Sequence, residues 1–110
     1  MTVNELKTSL SLETLVEGDG TRDVTTGYCG DLLSWVMSRA DAGCAWITVM
    51  GNINAVAVCA LAEISCLILA DNAVLDEAAR ARAELEELPI LRSDRNIYEL
   101  AVALSRLLPS

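Results

Sequence analysis

Hydrophobic and polar residues alternate in blocks that predict short helices and strands from the start of the chain. Thr2 and Glu5 have the spacing of a capping box, so a helix begins there with three inward positions, Val3, Leu6 and Leu10. Residues 12–16 predict a first strand, which residues 17–20 close with a turn. Residues 22–26 are polar and β-branched, which indicates a short extended segment at a sheet edge.

A glycine-containing junction at residues 27–31 separates this segment from an apolar helical pattern. Asp31 is a good N-cap, and an inward stripe follows at Leu33, Val36, Met37 and Ala40. Such a junction directs backbone N–H groups and a helix N-terminus at one point, where an anion or a partner chain can bind. Trp35 lies outside the stripe.

From residue 45 onward the pattern is β-α-β-α-β-α. Residues 45–49, 65–70 and 89–91 predict strands, and the second is a continuous apolar run typical of a central parallel strand. Residues 55–62 predict a helix that is apolar on all faces, as expected of a helix buried in a sheet protein.

Two further helices complete the pattern. The first is a surface helix in which Asp76 can pair with Arg80, and its predicted stripe consists of Leu75, Ala78, Leu85 and Leu88. The second begins with a capping box at Asn96 and Glu99, and its apolar residues are Ile97, Leu100, Ala101, Leu104 and Leu108.

The expected fold class is therefore α/β. Right-handed crossovers give one domain over residues 1–110, a three-layer α/β/α arrangement with a small, mostly parallel sheet. In such sheets the functional crevice lies beyond the carboxyl ends of the strands. Here those ends are residues 48–54, 71–72 and 92–96, which are rich in Asn, Asp, Ser and Arg.

Charge and hydropathy limit the classes of partner. The net charge is −8, with one Lys and seven Arg, so the chain repels phosphate backbones and nucleic-acid binding is not expected. A basic amphipathic stretch is absent from the sequence, and the apolar run at residues 55–62 is far shorter than a membrane span needs. Residues 1–10 do not resemble a signal peptide, so we expect a cytoplasmic protein without a membrane partner.

The residue inventory argues against catalysis. The chain has no His and no P-loop motif, and its only lysine is Lys7, so neither a Ser-His-Asp triad nor an NTPase site is expected. The four cysteines show no C-x-x-C pair, which predicts free thiols and no metal or cofactor. Cys29 lies in the glycine junction, where a helix N-terminus could lower its pKa. Glu63 ends an apolar helix and is either a helix-end carboxylate or a catalytic acid.

Several separated segments give the chain a family resemblance. Residues 27–37 (GYCGDLLSWVM), 45–48 (AWIT), 55–58 (AVAV) and 88–93 (LPILRS), with Asn52-x-Asn54, resemble the DRTGG domain family over roughly residues 3–108. The resemblance implies a fold like the N-terminal domain of HPr kinase/phosphorylase, which is not its catalytic half. In the motif itself, residues 23–27 read DVTTG, so that Val24 and Thr26 replace the family's Arg and first Gly.

The resemblance also implies a class of function. Family members occur alone, often near iron-only hydrogenase genes in anaerobes, or inserted in nucleotide-regulated CBS-domain pyrophosphatases, and their own activity is generally unassigned. We therefore expect a non-catalytic regulatory or ligand-binding module that acts as a homodimer. The alternative is a protein-interaction factor for an anaerobic redox enzyme such as an iron-only hydrogenase.

The predicted ligand is a nucleotide or small anion, bound by backbone amides at residues 27–31. The candidate residues are Thr26, Gly27, Gly30, Asp31, Thr48, Asn52, Asn54, Arg92 and Ser93. Competing interpretations remain open for several of them. The junction could simply start a helix, Asn52 and Asn54 could be helix caps, and the cations of residues 92–95 could balance surrounding acids. Trp35 is a candidate dimer contact, although packing at the domain's own edge would also explain it.

Overall fold

Five strands form one sheet in the computed structural model, which describes residues 1–109. Along the chain they are β1 (Glu13–Val16), β2 (Thr26–Cys29), β3 (Cys44–Thr48), β4 (Cys66–Leu69) and β5 (Ile90–Arg92). Their order across the sheet is β1-β5-β4-β3-β2. The strands β2 to β5 are parallel and β1 is antiparallel to β5, so the predicted, mostly parallel sheet is confirmed.

Helices cover both faces of this sheet. The five helices are α1 (Val3–Ser9), α2 (Leu33–Arg39), α3 (Ile53–Leu61), α4 (Glu77–Leu85) and α5 (Ile97–Leu107). One apolar cluster joins α2, α3 and α4 to the sheet, and a second joins α1 and α5 to its other face. This is the predicted three-layer α/β/α arrangement. None of the helices within residues 1–109 is long and apolar enough to cross a membrane.

The central strands explain why two helical layers are needed. Every residue of β3 and β4 is buried, and side chains alternate between the two faces. Trp46 packs in the cluster under α2 to α4, whereas Ala45 and Ile47 pack under α1 and α5. Parallel strands that are buried on both faces must be covered on both sides, as the continuous apolar runs predict.

The starts of three helices, α1, α3 and α5, agree with the sequence. Thr2 and Asn96 both form the predicted capping boxes, with Glu5 and Glu99 respectively. Asn52 caps α3, since its Oδ1 accepts a hydrogen bond of 2.9 Å from the Ala55 N–H. The helix-cap interpretation of Asn52 is therefore confirmed.

The main difference from the predicted secondary structure lies at the glycine junction. Extended structure was expected over residues 22–26 with a turn at 27–30, but the strand is Thr26–Cys29. Its partner β3 supplies a full parallel register, from Thr26 opposite Cys44 to Cys29 opposite Ile47. Tertiary pairing, together with packing of the Tyr28 ring against the core, outweighs the turn preference of the glycines.

Three helix surfaces also differ from the prediction. Met37 is exposed rather than inward on α2, and Leu61 is 71% exposed at the end of α3, which is buried on one face only. On α4 the buried residues are Ala79 and Ala83, while Leu85 is 83% exposed. A helix in an outer layer needs only one apolar stripe, so its remaining apolar residues face solvent.

The predicted pair between Asp76 and Arg80 is also wrong. The Arg80 guanidinium donates a hydrogen bond to the Leu15 carbonyl and lies 3.9 Å from the Glu77 carboxylate. The reason is that α4 packs beside β1, so the long side chain reaches a backbone acceptor on that strand.

A prediction concerns Gly51, in the loop after β3. A Cβ atom there would lie 2.1 Å from the Val74 carbonyl oxygen, and the Gly51 carbonyl accepts a hydrogen bond from the Asp76 N–H. Gly51→Ala should therefore lower the free energy of unfolding by about 1–3 kcal/mol, because two backbone segments must separate. Urea unfolding followed by circular dichroism measures this change.

Gly20→Ala is the matched control for that variant. The added Cβ would meet only the side chain of Asn4, which is exposed and can rotate away. Equal stability losses in the two variants would contradict the close approach at Gly51.

Candidate functional site

The carboxyl ends of the parallel strands meet at one edge of the sheet, and Asp31 and Thr48 form its centre. Thr48 is completely buried, and its hydroxyl donates a hydrogen bond of 2.5 Å to Asp31 Oδ1. The same carboxylate oxygen accepts from the Val49 N–H at 3.4 Å, and Thr48 Oγ1 accepts from the Met50 N–H at 3.3 Å. These bonds join the end of β2 to the loop that follows β3.

Asp31 is therefore not the N-cap of α2, contrary to prediction. Leu32 occupies the N-cap position, and no side chain caps this helix. The buried hydroxyl of Thr48 needs an acceptor and Asp31 supplies it, which draws the carboxylate toward the sheet and away from the helix N-terminus. The Asp31 carboxylate therefore occupies the place where the sequence predicted a bound anion. The helix that follows, α2, is also short, with only seven residues.

Gly30 contributes its carbonyl to the interior. The buried Trp46 indole donates a hydrogen bond of 2.8 Å from Nε1 to the Gly30 oxygen. This contact fixes the chain just before Asp31, because a buried Trp requires an acceptor for its N–H. Nothing in the spacing of the two residues indicated this bond.

Asn52 and Asn54 differ in whether the side-chain amide is available to bind a ligand. Asn52 is engaged as the cap of α3, whereas the Asn54 side chain is exposed in the first turn of that helix. No hydrogen bond of its amide is seen within residues 1–109. Asn54 therefore has both donor and acceptor groups available for a ligand, and its role as a ligand residue stays a prediction.

Arg92 is committed to another strand. Its guanidinium forms two hydrogen bonds with the Glu13 carboxylate, of 3.0 and 3.1 Å, and a third of 3.4 Å with the Ala73 carbonyl. Glu13 lies directly opposite Arg92 in the antiparallel register of β1 and β5. The positive charge of Arg92 is thus balanced inside the domain, as the competing interpretation of residues 92–95 allowed.

Ser93 and Arg95 follow β5 at the same edge. The Ser93 hydroxyl accepts a hydrogen bond of 3.1 Å from the Arg95 N–H, which shapes the turn into α5. The Arg95 side chain is exposed, and among residues 1–109 it has no ion pair. Within that range Arg95, rather than Arg92, therefore has a positive charge without an ion pair after β5, and its side chain borders a depression on α5 beside Tyr98 and Glu99.

Thr26 and Gly27 lie apart from this edge. They line a groove of about 370 Å³ between β2 and α5, whose other walls include Ile47, Ala101, Leu104 and Leu108. A Cβ on Gly27 would lie 2.7 Å from Leu104 Cδ2, so the glycine lets α5 approach the strand. The predicted ligand residues are therefore divided between the strand ends and the groove.

The remaining chemistry is sparse. No cluster of His, Cys, Asp or Glu that could hold a metal ion occurs in the part of the chain that the structure describes. All four cysteines are free thiols, and only Cys29 is exposed. Glu63 is exposed and follows α3 in a left-handed conformation, a position typical of a helix end.

Cys29 is not activated as the sequence suggested. Partial burial of the sulfur, and then the neighbouring Asp31 carboxylate, raise the pKa of the thiol above its ordinary value. Because Cys29 lies inside β2 and Asp31 stands before α2, no helix N-terminus points at the sulfur. The expectation of a lowered pKa is therefore wrong.

The hydrogen bond between Thr48 and Asp31 generates a prediction. Thr48→Val keeps the shape of a buried side chain but removes the donor, so the free energy of unfolding should fall by about 1–2 kcal/mol. Chemical denaturation measures this difference. Thr14→Val, at an exposed position of β1, is the matched control and should change stability by less than about 0.5 kcal/mol. A Thr48→Val protein as stable as wild type would disprove the contribution of this bond.

Thiol labelling tests the environment of Cys29. In native protein one thiol per chain should react with Ellman's reagent, because the other three cysteines are buried. The thiolate is the reactive form, so the raised pKa predicts a rate that still climbs steeply above pH 8.5, where a free cysteine is about half ionised. Asp31→Asn should shift this profile to lower pH. A rate that levels off below pH 8 would contradict the assignment.

Comparison with known proteins places the fold. No family model and no curated protein sequence matches this chain. Among solved structures, it is similar to the CBS and DRTGG domains of the regulatory region of Clostridium perfringens pyrophosphatase, in complex with the activator diadenosine tetraphosphate. The TM-score is 0.75 at 11% sequence identity, over 98% of this chain and 47% of that chain. The chain thus spans about half the length of that structure, and the likeness supports a DRTGG-like fold.

Proposed function

We propose that this chain is a non-catalytic regulatory module of the DRTGG type, which binds a nucleotide or a small anion and acts as a homodimer. The observation that carries the proposal is the likeness of nearly the whole chain to a regulatory region solved with a nucleotide activator. The residues agree with a binding role, since the chain has no His and the pKa of its exposed thiol, Cys29, is raised above its ordinary value.

The strand ends suggest which parts of a ligand would bind where. Asp31 has one carboxylate oxygen engaged by Thr48, and its other oxygen can accept from a sugar hydroxyl or a base amino group. Asn54 can read either donors or acceptors with its amide. A phosphate would avoid the Asp31 carboxylate and bind toward Arg95, the free cation of this edge. A nucleotide satisfies both requirements better than a bare anion does.

A protein-interaction role is the second candidate function. Leu32 and Trp35 are 55% and 50% exposed, next to each other around the start of α2, and the Arg39 guanidinium covers the Trp35 ring at 3.7 Å. Exposed aromatic side chains of this kind often anchor interfaces. This surface favours a protein partner, which includes the homodimer and, as the sequence resemblance implies, an anaerobic redox enzyme.

Thermal unfolding in the presence of nucleotides tests the first function. Diadenosine tetraphosphate, ATP, AMP, ADP and inorganic phosphate are titrated against the wild-type chain. A ligand at about one hundred times its Kd stabilises the folded state by about 2.7 kcal/mol, which raises Tm by several degrees and saturates. Flat melting temperatures across the whole panel would refute the nucleotide proposal.

Two asparagine variants locate the site. Asn54→Ala should abolish or strongly reduce the saturable rise in Tm, because it removes the free amide at the strand ends. Asn4→Ala is the matched control, an exposed asparagine in the first turn of α1, and should respond like wild type. If the two variants bind equally well, the ligand does not contact Asn54.

A further inference from the structure

The two outermost strands of the sheet, β1 and β2, form lateral edges that differ in structure. At one edge, β1 has an irregular register between Thr14 and Val16, and Glu13 and Glu17 place charges along and after the strand. Bulges and charges are the usual means by which an edge strand avoids pairing with another chain. At the other edge, β2 has a regular register with β3 and contains neither charge nor proline. Residues 24–30 are uncharged throughout.

The backbone groups that face outward from β2 can be identified. The Ala70 N–H donates a hydrogen bond of 2.9 Å to the Thr48 carbonyl, so Thr48, Trp46 and Cys44 point their backbone groups at β4, and Ala45 and Ile47 point theirs at β2. In the parallel register of β2 and β3, Ala45 and Ile47 then bond to Thr26 and Tyr28. Gly27 and Cys29 point their backbone groups away from the sheet. The open edge therefore presents four groups, one N–H and one C=O from each of these two residues.

We infer that this edge is the surface through which two copies of the chain pair, with their β2 strands antiparallel and Gly27 on the two-fold axis. The inference rests on the proposed homodimer and specifies its surface. In that register the two Gly27 residues lie opposite each other and exchange two hydrogen bonds, and the Cys29 N–H of each copy donates to the Thr25 carbonyl of the other, which gives four hydrogen bonds in all. Such an arrangement closes on itself, and no further copy can add at this edge.

An uncharged edge is the part of the surface where a second copy meets the least repulsion. Each chain carries a net charge of −8, so two copies can approach closely only where the contact itself is uncharged. The nearest charges are Asp23 and Asp31, just beyond the strand. Asp23 lies 3.2 Å from the amino group of Met1, and Asp31 is bound to the Thr48 hydroxyl. Both carboxylates are thus partly compensated within their own chain.

The strand alone is too short to hold a dimer, but the surfaces beside it are apolar. A stable interface buries about 800 Å² on each partner, more than four residues of strand supply. Leu104 and Leu108 line the groove along β2, and Leu32, which is 55% exposed, follows the strand by three positions. Because a two-fold axis perpendicular to the sheet keeps equal faces on the same side, the two grooves meet across the paired strands.

Site-directed crosslinking tests the register. In the inferred dimer Thr25 lies opposite Cys29 of the other copy, at a hydrogen-bonded position where the Cα atoms are about 5.5 Å apart, within the range that a disulfide spans. Thr25→Cys treated with diamide should therefore give a covalent dimer on a non-reducing gel. Within one chain these positions are about 13 Å apart along the strand, too far for a disulfide. Thr25→Cys with Cys29→Ser is the control and should not crosslink.

The buried thiols do not interfere with this experiment. Burial raises the pKa of Cys44 to about 11 and that of Cys66 to about 12, and it also raises the pKa of Cys59. The raised pKa values disfavour the reactive thiolate, and burial shields all three thiols from the oxidant. Any covalent dimer must then involve position 25 or Cys29.

A second variant removes one of the outward donors. Cys29→Pro deletes the outward N–H without touching the bonds between β2 and β3, so the dimer should dissociate at least ten-fold more readily in sedimentation equilibrium. Cys29→Ser keeps the N–H and should pair like wild type. Circular dichroism checks that both variants are folded, and the crosslinking result decides the matter if Cys29→Pro is not.

The outcomes separate this inference from the broader proposal. A wild-type dimer of twice 11.8 kDa that fails to crosslink through Thr25→Cys overturns the pairing but leaves the homodimer intact. If Trp35→Ser then dissociates it, α2 forms the interface instead. A wild-type monomer at all concentrations overturns both the pairing and the homodimer. Nucleotide stabilisation is measured separately and survives either result.

Discussion

Burial of the two central strands on both faces is the constraint on which this structure depends. Every residue of β3 and β4 is withdrawn from water, so each face must be covered by helices, and the parallel direction requires a helical crossover between successive strands. These crossovers place the carboxyl ends of all the parallel strands at the same end of the sheet. The polar residues that follow those strands are gathered there as a consequence of the topology.

The same constraint explains which parts of the fold were predictable. From β3 onward the strands are compact apolar runs, and α3 and α5 begin with the caps Asn52 and Asn96, so local sequence and tertiary structure agree. At residues 27–31 they disagree. Glycine and aspartate favour a turn and a helix cap, but the edge of β3 and the buried hydroxyl of Thr48 provide stronger partners. The sequence shows only the local preference, and the predictions for β2 and Asp31 are wrong for that reason.

The position of the candidate site could be predicted from the sequence, but which of its side chains are free to bind a ligand could not. The sequence correctly identified the ends of the strands as the place where Asn, Asp, Ser and Arg converge. Which of these groups is free depends on pairs that are distant along the chain. Glu13 and Arg92 are separated by 79 positions and meet only because β1 is antiparallel to β5. No periodicity indicates that pairing, so the sequence assigned Arg92 to a ligand when the sheet already uses it.

The strand β2 connects the two surfaces that we consider functional. Its carboxyl end leads through Gly30, which is tied to Trp46, to the Asp31 carboxylate, while its open edge is available to a second chain. A partner strand would restrict the motion of β2 and thereby hold Asp31 in place before any ligand arrives. The entropic cost of ordering this segment would then weaken the free energy of dimerisation and not the free energy of ligand binding. Affinity for a ligand and affinity between chains would have to rise together, since coupling between two binding equilibria is reciprocal.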